Sequence, residues 1–228
     1  MNEVNRILDV YNSRDESGKR QLYAWYNVAA SYHSAIKKRM LLSAMMASYG
    51  KDLSNLCVLD VGCGDGEFIR TLIEWGACPE NLVGTEFLDD RLTQAAIKSP
   101  EKIKWHNGDL NFCENEYFDL VSAHTVFTSI LDEDAREALA SEMWEKVKPG
   151  GWILIFDFRY NNPSNPNVKK LTRNEMMKWW PSKTVYYTTG LLAPPLARRF
   201  IGNNYLLSEF LTLVFPFLRS HFIYMVQK

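Results

Sequence analysis

Three glycines at alternate positions, Gly62, Gly64 and Gly66, follow an apolar run that ends in Asp60 and Val61, and Glu67 opens the segment beyond them. A turn this rich in glycine lets a ligand approach the backbone where any side chain would block it. The surrounding charge narrows what that ligand can be. A dinucleotide-binding turn needs G-x-G-x-x-G, with a small residue where this chain has Glu67, and it aims a helix N-terminus at a pyrophosphate that Asp60, Asp65 and Glu67 would repel. A nucleoside-triphosphate loop needs Gly-Lys-Ser/Thr, which does not follow. The acids favour a ligand that carries positive charge and no phosphate.

The elements that must hold this turn alternate along the chain. Short apolar runs at 57–62, 81–87, 103–109, 118–126 and 151–158 read as strands. Between them EFIRTLIEWG, DDRLTQAAIKS and DEDAREALASEMWEKVK repeat apolar residues every three or four positions, as amphipathic helices do. Asp132 suits the start of the third helix, and Lys146, Lys148, Pro149 and Gly150 suit its end. This alternation predicts a doubly wound α/β fold: a mostly parallel sheet with helices on both faces. In such a sheet a ligand sits beyond the carboxyl ends of the strands, where strand order reverses, and Gly62–Gly66 lies at such an end. Residues 20–48 predict one or two helices capping the sheet edge, with Tyr23, Trp25, Tyr26 and Tyr32 at near-helical spacing. Residues 191–220 predict a helical insertion between the strand-like runs 184–190 and 221–227. The whole is expected to be one domain: a cap over 1–50, a ligand-binding core over 55–160 and an acceptor-side segment over 161–228.

S-adenosylmethionine meets the charge requirement, because its ammonium and sulfonium are cationic and its ribose offers a diol. The chain resembles the class I S-adenosylmethionine-dependent methyltransferases in four ordered motifs: VLDVGCGDG, NLVGTEF, HNGDL and VKPGGWILIFDF. The resemblance implies a Rossmann-like sheet of seven strands and a cofactor site made by Asp60, Gly62, Cys63, Gly64, Gly66, Glu86, Phe87, Asp109, Leu110 and His124. Within it Glu86 is expected to take both ribose hydroxyls, Asp109 the adenine amino group, and the Leu110 backbone N–H an adenine nitrogen. The chain is also similar to bacterial members of polysaccharide-biosynthesis type, which implies a small-molecule or glycan-related acceptor methylated on oxygen. N-methylation of a small molecule or protein, and a cofactor-binding scaffold without turnover, are the alternatives.

Methyl transfer from a sulfonium needs an aligned acceptor and a place for its proton. The ends of the fourth and fifth strands offer His124, Asp157 and Tyr160 as candidate catalytic residues. His124 reads either as a general base for a hydroxyl or as packing beside the cofactor. Asp157 reads as orienting an acceptor or as capping its strand end. A metal-assisted reaction would want an acid where His124 and Thr125 stand, so no metal is expected. No nucleic-acid acceptor is expected either, because HTVF replaces the N/D-P-P-Y/F motif used on flipped bases.

Hydrophobic residues make up 46% of the 228 and charged ones 23%, the balance of a globular chain with a sizeable core. The N-terminus mixes charges and lacks a secretory core, and Cys57, Cys63, Cys78 and Cys113 form no CxxC pair, so reduced thiols in a cytoplasm are expected. The net charge of -1 hides a polarity: from Arg159 onward ten Lys and Arg face only Glu175 and Glu209, a net +8. Arg159, Lys169, Lys170 and Arg173 could meet an anionic acceptor, and the apolar 191–220 segment beside Arg198 and Arg199 reads as a lid, a packed hairpin or a peripheral membrane contact.

Overall fold

The computed structural model describes residues 3–16, 24, 26–163, 165–200 and 205–228, with the backbone alone for 14–16, 199 and 200. In chain order the elements are α1 (Glu3–Glu16), α2 (Val28–Tyr49), β1 (Val58–Val61), α3 (Glu67–Glu74), β2 (Leu82–Glu86), α4 (Asp89–Ile97), β3 (Lys104–Asn107) and β4 (Phe118–His124). They continue with α5 (Glu133–Lys146), β5 (Val147–Phe158), α6 (Arg173–Trp179), β6 (Val185–Leu192), α7 (Pro194–Phe200), α8 (Tyr205–Val214) and β7 (Arg219–Gln227). The seven strands make one sheet in the order β3-β2-β1-β4-β5-β7-β6, with β7 antiparallel to both its neighbours. Strand order reverses between β1 and β4, and that is where the glycine turn emerges.

Alternation along the strands divides the core into two layers, one on each face of the sheet. Leu154, Phe156, Ile223 and Met225 pack against Met40, Leu41, Ala44 and Met45 of α2 and Phe68 and Leu72 of α3. Their neighbours Ile153, Ile155, Tyr224 and Val226 pack with Ala140 and Met143 of α5, Met176 of α6 and Trp180. On this second face the guanidinium of Arg136, fully buried, donates to Glu175 (2.6 Å) and to the carbonyls of Phe127, Lys169 and Lys170 (3.1 Å each). It joins α5 to α6 and to the turn after β4, and its hydrogen bonds offset the cost of burying the charge.

α2 lies over the last two strands of the sheet, packing most extensively on the edge strand β6, and its Leu, Met and Ala residues belong to the main core. The charged N-terminal stretch contains the helix α1, within the span expected as a helical cap. The expected turn at Lys148–Gly151 is the start of β5, with a bulge opposite Phe118 and Leu120. There Gly150, at φ +82°, donates to the Lys228 carbonyl and ties the strand's start to the chain end. Tyr23 and Trp25 lie outside the described residues, as does the Arg199 side chain.

The layer beneath the glycine turn has no spare room. A Cβ on Gly84 of β2 would meet Trp105 ring carbons at 2.6 and 2.7 Å and the Cys63 sulfur at 2.9 Å. Gly84→Ala is therefore expected to cost about 2 kcal/mol through overpacking, a fall in Tm of about 4–8 °C in a thermal melt. An unchanged Tm would show that Trp105 does not brace the turn.

Candidate active site

All three glycines of the turn adopt positive φ, +64° at Gly62, +56° at Gly64 and +80° at Gly66, which any other residue reaches only under strain. Two of them are packed in: a Cβ on Gly62 would strike Val126 at 2.6 Å and one on Gly66 would strike Trp105 at 2.8 Å. A Cβ on Gly64 would meet nothing within 4 Å. The backbone at Gly64 thus faces open space on the ligand side, and the other two glycines let the turn seat itself on β4 and β3.

Glu86, at the end of β2, is buried beside this turn. One carboxylate oxygen accepts from the Gly64 N–H (3.1 Å), and the other from the Phe87 and Leu88 N–H groups (2.8 and 3.2 Å). These bonds fix the carboxylate next to Gly64. Phe87 stands half exposed at the rim. Asp109, exposed after β3, accepts from the Asn111 N–H (3.0 Å) in a turn that orients its carboxylate, and Leu110 is buried beneath.

Of the three acids at the glycine turn, two are neutralised locally. Asp65 pairs with Lys98 (2.8 Å) and Arg70 (3.6 Å), and Glu67 accepts from Ser34 (2.8 Å) and pairs with Lys37 (2.9 Å), both on α2. The expected crowd of negative charge reduces to Asp60 and Glu86. Asp60 is buried with the Ser122 hydroxyl as its hydrogen-bond donor (2.7 Å), and burial pushes its carboxyl up to about 7. A cationic ammonium beside Asp60 would stabilise the ionised form. Affinity for S-adenosylhomocysteine, which keeps the ammonium, is accordingly expected to rise as pH increases through about 7 and to level off above it, with proton release on binding below that point. Calorimetry in buffers of different ionisation enthalpy measures that release. Proton uptake, or pH-independent affinity, would contradict the assignment.

His124 ends β4 on the same side. Its Nε2 lies 4.0 Å from Asp60 Oδ1, its ring is 4.4 Å from the Phe68 ring, and both ring nitrogens are buried without a hydrogen-bond partner. Burial, aided by the Lys37 charge, holds its pKa well below the ordinary histidine value. Unpartnered buried nitrogens are costly, and this pair lies at the strand end beside the glycine turn. Thr125, immediately after it, has φ +56°, an unusual conformation for a β-branched residue; its N–H donates to the Phe156 carbonyl at 2.7 Å. This strained residue turns the chain away from β4 at His124.

The other catalytic candidates lie apart from His124. Asp157 points to the opposite face of the sheet from Phe156, and its two oxygens accept from the Thr128 (3.0 Å) and Phe158 (2.8 Å) N–H groups. It pins the turn 127–129 to β5, which is the strand-end capping that was one of its two readings. Tyr160 is exposed, with its ring 5.2 Å from the Arg159 guanidinium. In their place the fold brings residues that sequence reasoning missed. A row of rings runs from His124 to Phe156 (6.0 Å), from Phe156 to His221 (5.0 Å) and from His221 to Phe158 (4.0 Å), with the Lys37 ammonium 5.4 Å from the Phe156 ring. His221 is on β7 and Lys37 on α2, far apart in sequence. The alternation of β5 and β7 could have placed Phe156 and His221, whereas nothing in a helical Lys-Lys pair distinguishes Lys37 from Lys38.

α1 crosses above this edge. Arg6 donates to the Ser129 carbonyl (2.6 Å), Glu3 accepts from the Leu131 N–H (2.6 Å), and the Tyr11 ring lies 4.4 Å from the Arg91 guanidinium of α4. It spans from the turn after β4 to the helix after β2.

Comparison with known proteins agrees with this geometry. A family model described as a methyltransferase domain matches residues 58–151, the segment from β1 through the start of β5. Residues 58–151 thus match a methyltransferase domain, and the fold around them is shared with a solved S-adenosylmethionine-dependent methyltransferase of Archaeoglobus fulgidus. The 2-phytyl-1,4-beta-naphthoquinone methyltransferase of Arabidopsis thaliana is 30% identical over 171 residues, which are 70% of this chain and 58% of that relative. A ubiquinone biosynthesis O-methyltransferase of Hydrogenovibrio crunogenus is 25% identical over 146 residues, 61% of this chain and 58% of the relative. The chain therefore spans a little over half the length of each. A phosphoethanolamine N-methyltransferase of Haemonchus contortus, solved with phosphoethanolamine and S-adenosylhomocysteine, shares the fold with a TM-score of 0.65 at 14% identity, over 99% of this chain and 49% of that one. The cofactor of such methyltransferases is S-adenosylmethionine, and the open side of Gly64 and the buried Asp60 fit it.

Proposed function

We propose that this chain is an S-adenosylmethionine-dependent methyltransferase acting on a hydroxyl oxygen of a small-molecule or glycan-related acceptor: a sugar, a sugar nucleotide or a lipid-linked saccharide. The observation that carries the reading is His124, a neutral imidazole with both nitrogens unpartnered at the end of β4, beside the glycine turn. Asp60, Gly64, Glu86, Phe87, Asp109 and Leu110 would hold the cofactor, which when bound supplies an electrophilic methyl on a sulfonium. The chain's own residues then have two tasks. Phe68, Phe156, Phe158 and His221 enclose and orient the acceptor away from water, and a His124 nitrogen accepts the hydroxyl proton. With its pKa held low, the imidazole is unprotonated at neutral pH, and a bound acceptor would have to raise its basicity for it to take the proton.

An anionic acceptor group is supported by Lys37 above the Phe156 ring and by the basic segment from Arg159 onward. Oxygen as the methylated atom is supported by the absence of an acid from the face of β5 that carries Phe156, since Asp157 faces the other way; an amine acceptor would gain from such an acid. A cytoplasmic setting is supported by four free cysteines. A lipid-linked acceptor would bring the chain to a membrane surface. No helix among the described residues is long and apolar enough to cross a membrane.

The test is acceptor-dependent formation of S-adenosylhomocysteine with sugar nucleotides, lipid-linked sugars and reduced quinones, followed by mass spectrometry of the product. A methyl ether is the expected product. Methylation of amines alone, or cofactor binding with no turnover on any acceptor, would overturn the reading.

A further inference from the structure

The helical insertion before β7 leaves its apolar residues on the outside. Leu206 is 81% exposed, Phe210 57%, Leu213 73% and Phe217 66%. The first three form a stripe at i, i+4 and i+7 on α8, and Phe217 extends it through the short turn Pro216–Leu218. Val214 and Phe215 add 48% and 40% exposed area beside it. α8 is held to the fold by its other side: Ser208 is buried, the Tyr32 hydroxyl of α2 donates to Glu209 (3.0 Å), and the Tyr32 ring stacks on Tyr205 at 5.6 Å. The outward stripe is therefore not a helix that has failed to dock.

The charge around the stripe has one sign. Arg159 donates to the carbonyls of Pro216 (3.4 Å) and Arg219 (2.9 Å), and Arg219 donates to the Thr212 carbonyl (2.9 Å), so two guanidinia are anchored at the C-terminal end of α8. Arg198 stands exposed on the neighbouring α7. None of the three takes part in an ion pair among the described residues. From Met176 to the end of the chain the sequence holds a single acid, Glu209, and that one is bonded to Tyr32.

We infer that α8 and the Pro216–Leu218 turn form a docking face for the surface of a bilayer containing anionic lipid. Leu206, Phe210, Leu213 and Phe217 enter the boundary between headgroups and acyl chains, and the guanidinia of Arg159, Arg198 and Arg219 meet phosphate headgroups. A protein partner would need no such uniform positive rim, whereas an anionic lipid surface supplies its complement over the whole face. The face also adjoins the row of rings that leads to His124. Arg159 directly follows Phe158, whose ring touches His221, and Arg219 lies two residues before His221 on β7. Docking there would set the acceptor side of the site against the membrane, which deepens the lipid-linked reading above without depending on which group is methylated.

Flotation with vesicles of phosphatidylcholine alone and of phosphatidylcholine with phosphatidylglycerol tests this on the whole chain. Most of the protein is expected to float with the anionic vesicles and little with the neutral ones, and binding is expected to fall at least fivefold when salt is raised to about 0.5 M. The triple variant Leu206→Ser, Phe210→Ser, Leu213→Ser is expected to lose flotation at least tenfold while its affinity for S-adenosylhomocysteine stays unchanged, which shows that the fold is intact. Wild-type protein that floats with neither vesicle, or a triple variant that floats like wild type, overturns the inference. Wild-type dimers by light scattering that the triple variant dissolves, with no vesicle binding, would reassign the face to a second copy of the chain. None of these outcomes bears on whether the glycine turn binds the cofactor, so the two readings fail separately.

Discussion

Glu86→Ala is expected to weaken S-adenosylmethionine and S-adenosylhomocysteine binding about 100-fold or more. Two charge-assisted hydrogen bonds to a ribose diol would be lost, each worth about 1.5–3 kcal/mol. The structure adds a second loss, because the same carboxylate accepts from the N–H groups of Gly64, Phe87 and Leu88 and so fixes the turn itself. Glu86→Gln separates the two effects. Its amide oxygen can still accept some of the backbone bonds while the charge is gone, so its loss is expected to be smaller than that of alanine. Calorimetry measures both variants. Wild-type affinity in Glu86→Ala would remove the pocket from this site.

His124→Ala is expected to lower turnover by about 10²–10⁴-fold, the range of a lost general base, with cofactor affinity changed by less than about threefold. The alanine relieves two buried nitrogens of their missing partners but removes a ring packed beside Phe68 and Phe156, so the variant is expected to lose some stability while remaining folded. Lost turnover with cofactor affinity kept distinguishes a base from a packing residue. Equal losses of turnover and cofactor affinity would make His124 a cofactor contact, the other reading of its place beside Asp60. Single-turnover kinetics with saturating cofactor, beside calorimetry of the same preparation, gives both quantities.

The sheet was legible because parallel strands buried on both faces read as nearly unbroken apolar runs, and β1, β2 and β4 do so. The glycine turn and Glu86 were legible for a different reason: backbone geometry and ribose recognition leave few residue types that can serve. The sequence misled where charge was counted without direction. Asp65 and Glu67 look like cofactor acids in a string of letters, but each has its own cation, Lys98 with Arg70 for one and Lys37 for the other. Asp157 and His124 look like neighbours at two strand ends, yet strand alternation sends Asp157 to the face away from the Phe156 and His124 rings. The grouping of Lys37, Phe156 and His221 was the least legible part, because they come from α2, β5 and β7 and meet only once β7 inserts antiparallel beside β5. The exposure of α8 was hidden as well, since an apolar helix that docks and one that faces outward have similar composition.

The measurement that tests the account most directly is titration calorimetry of the wild-type chain with S-adenosylmethionine, S-adenosylhomocysteine and NAD. The account predicts one site that binds the first two with micromolar affinity and shows no heat with NAD, because Asp60 and the Glu67 that stands at the fingerprint's third glycine position disfavour a pyrophosphate. Binding of NAD, or no binding of either sulfur compound, would contradict it.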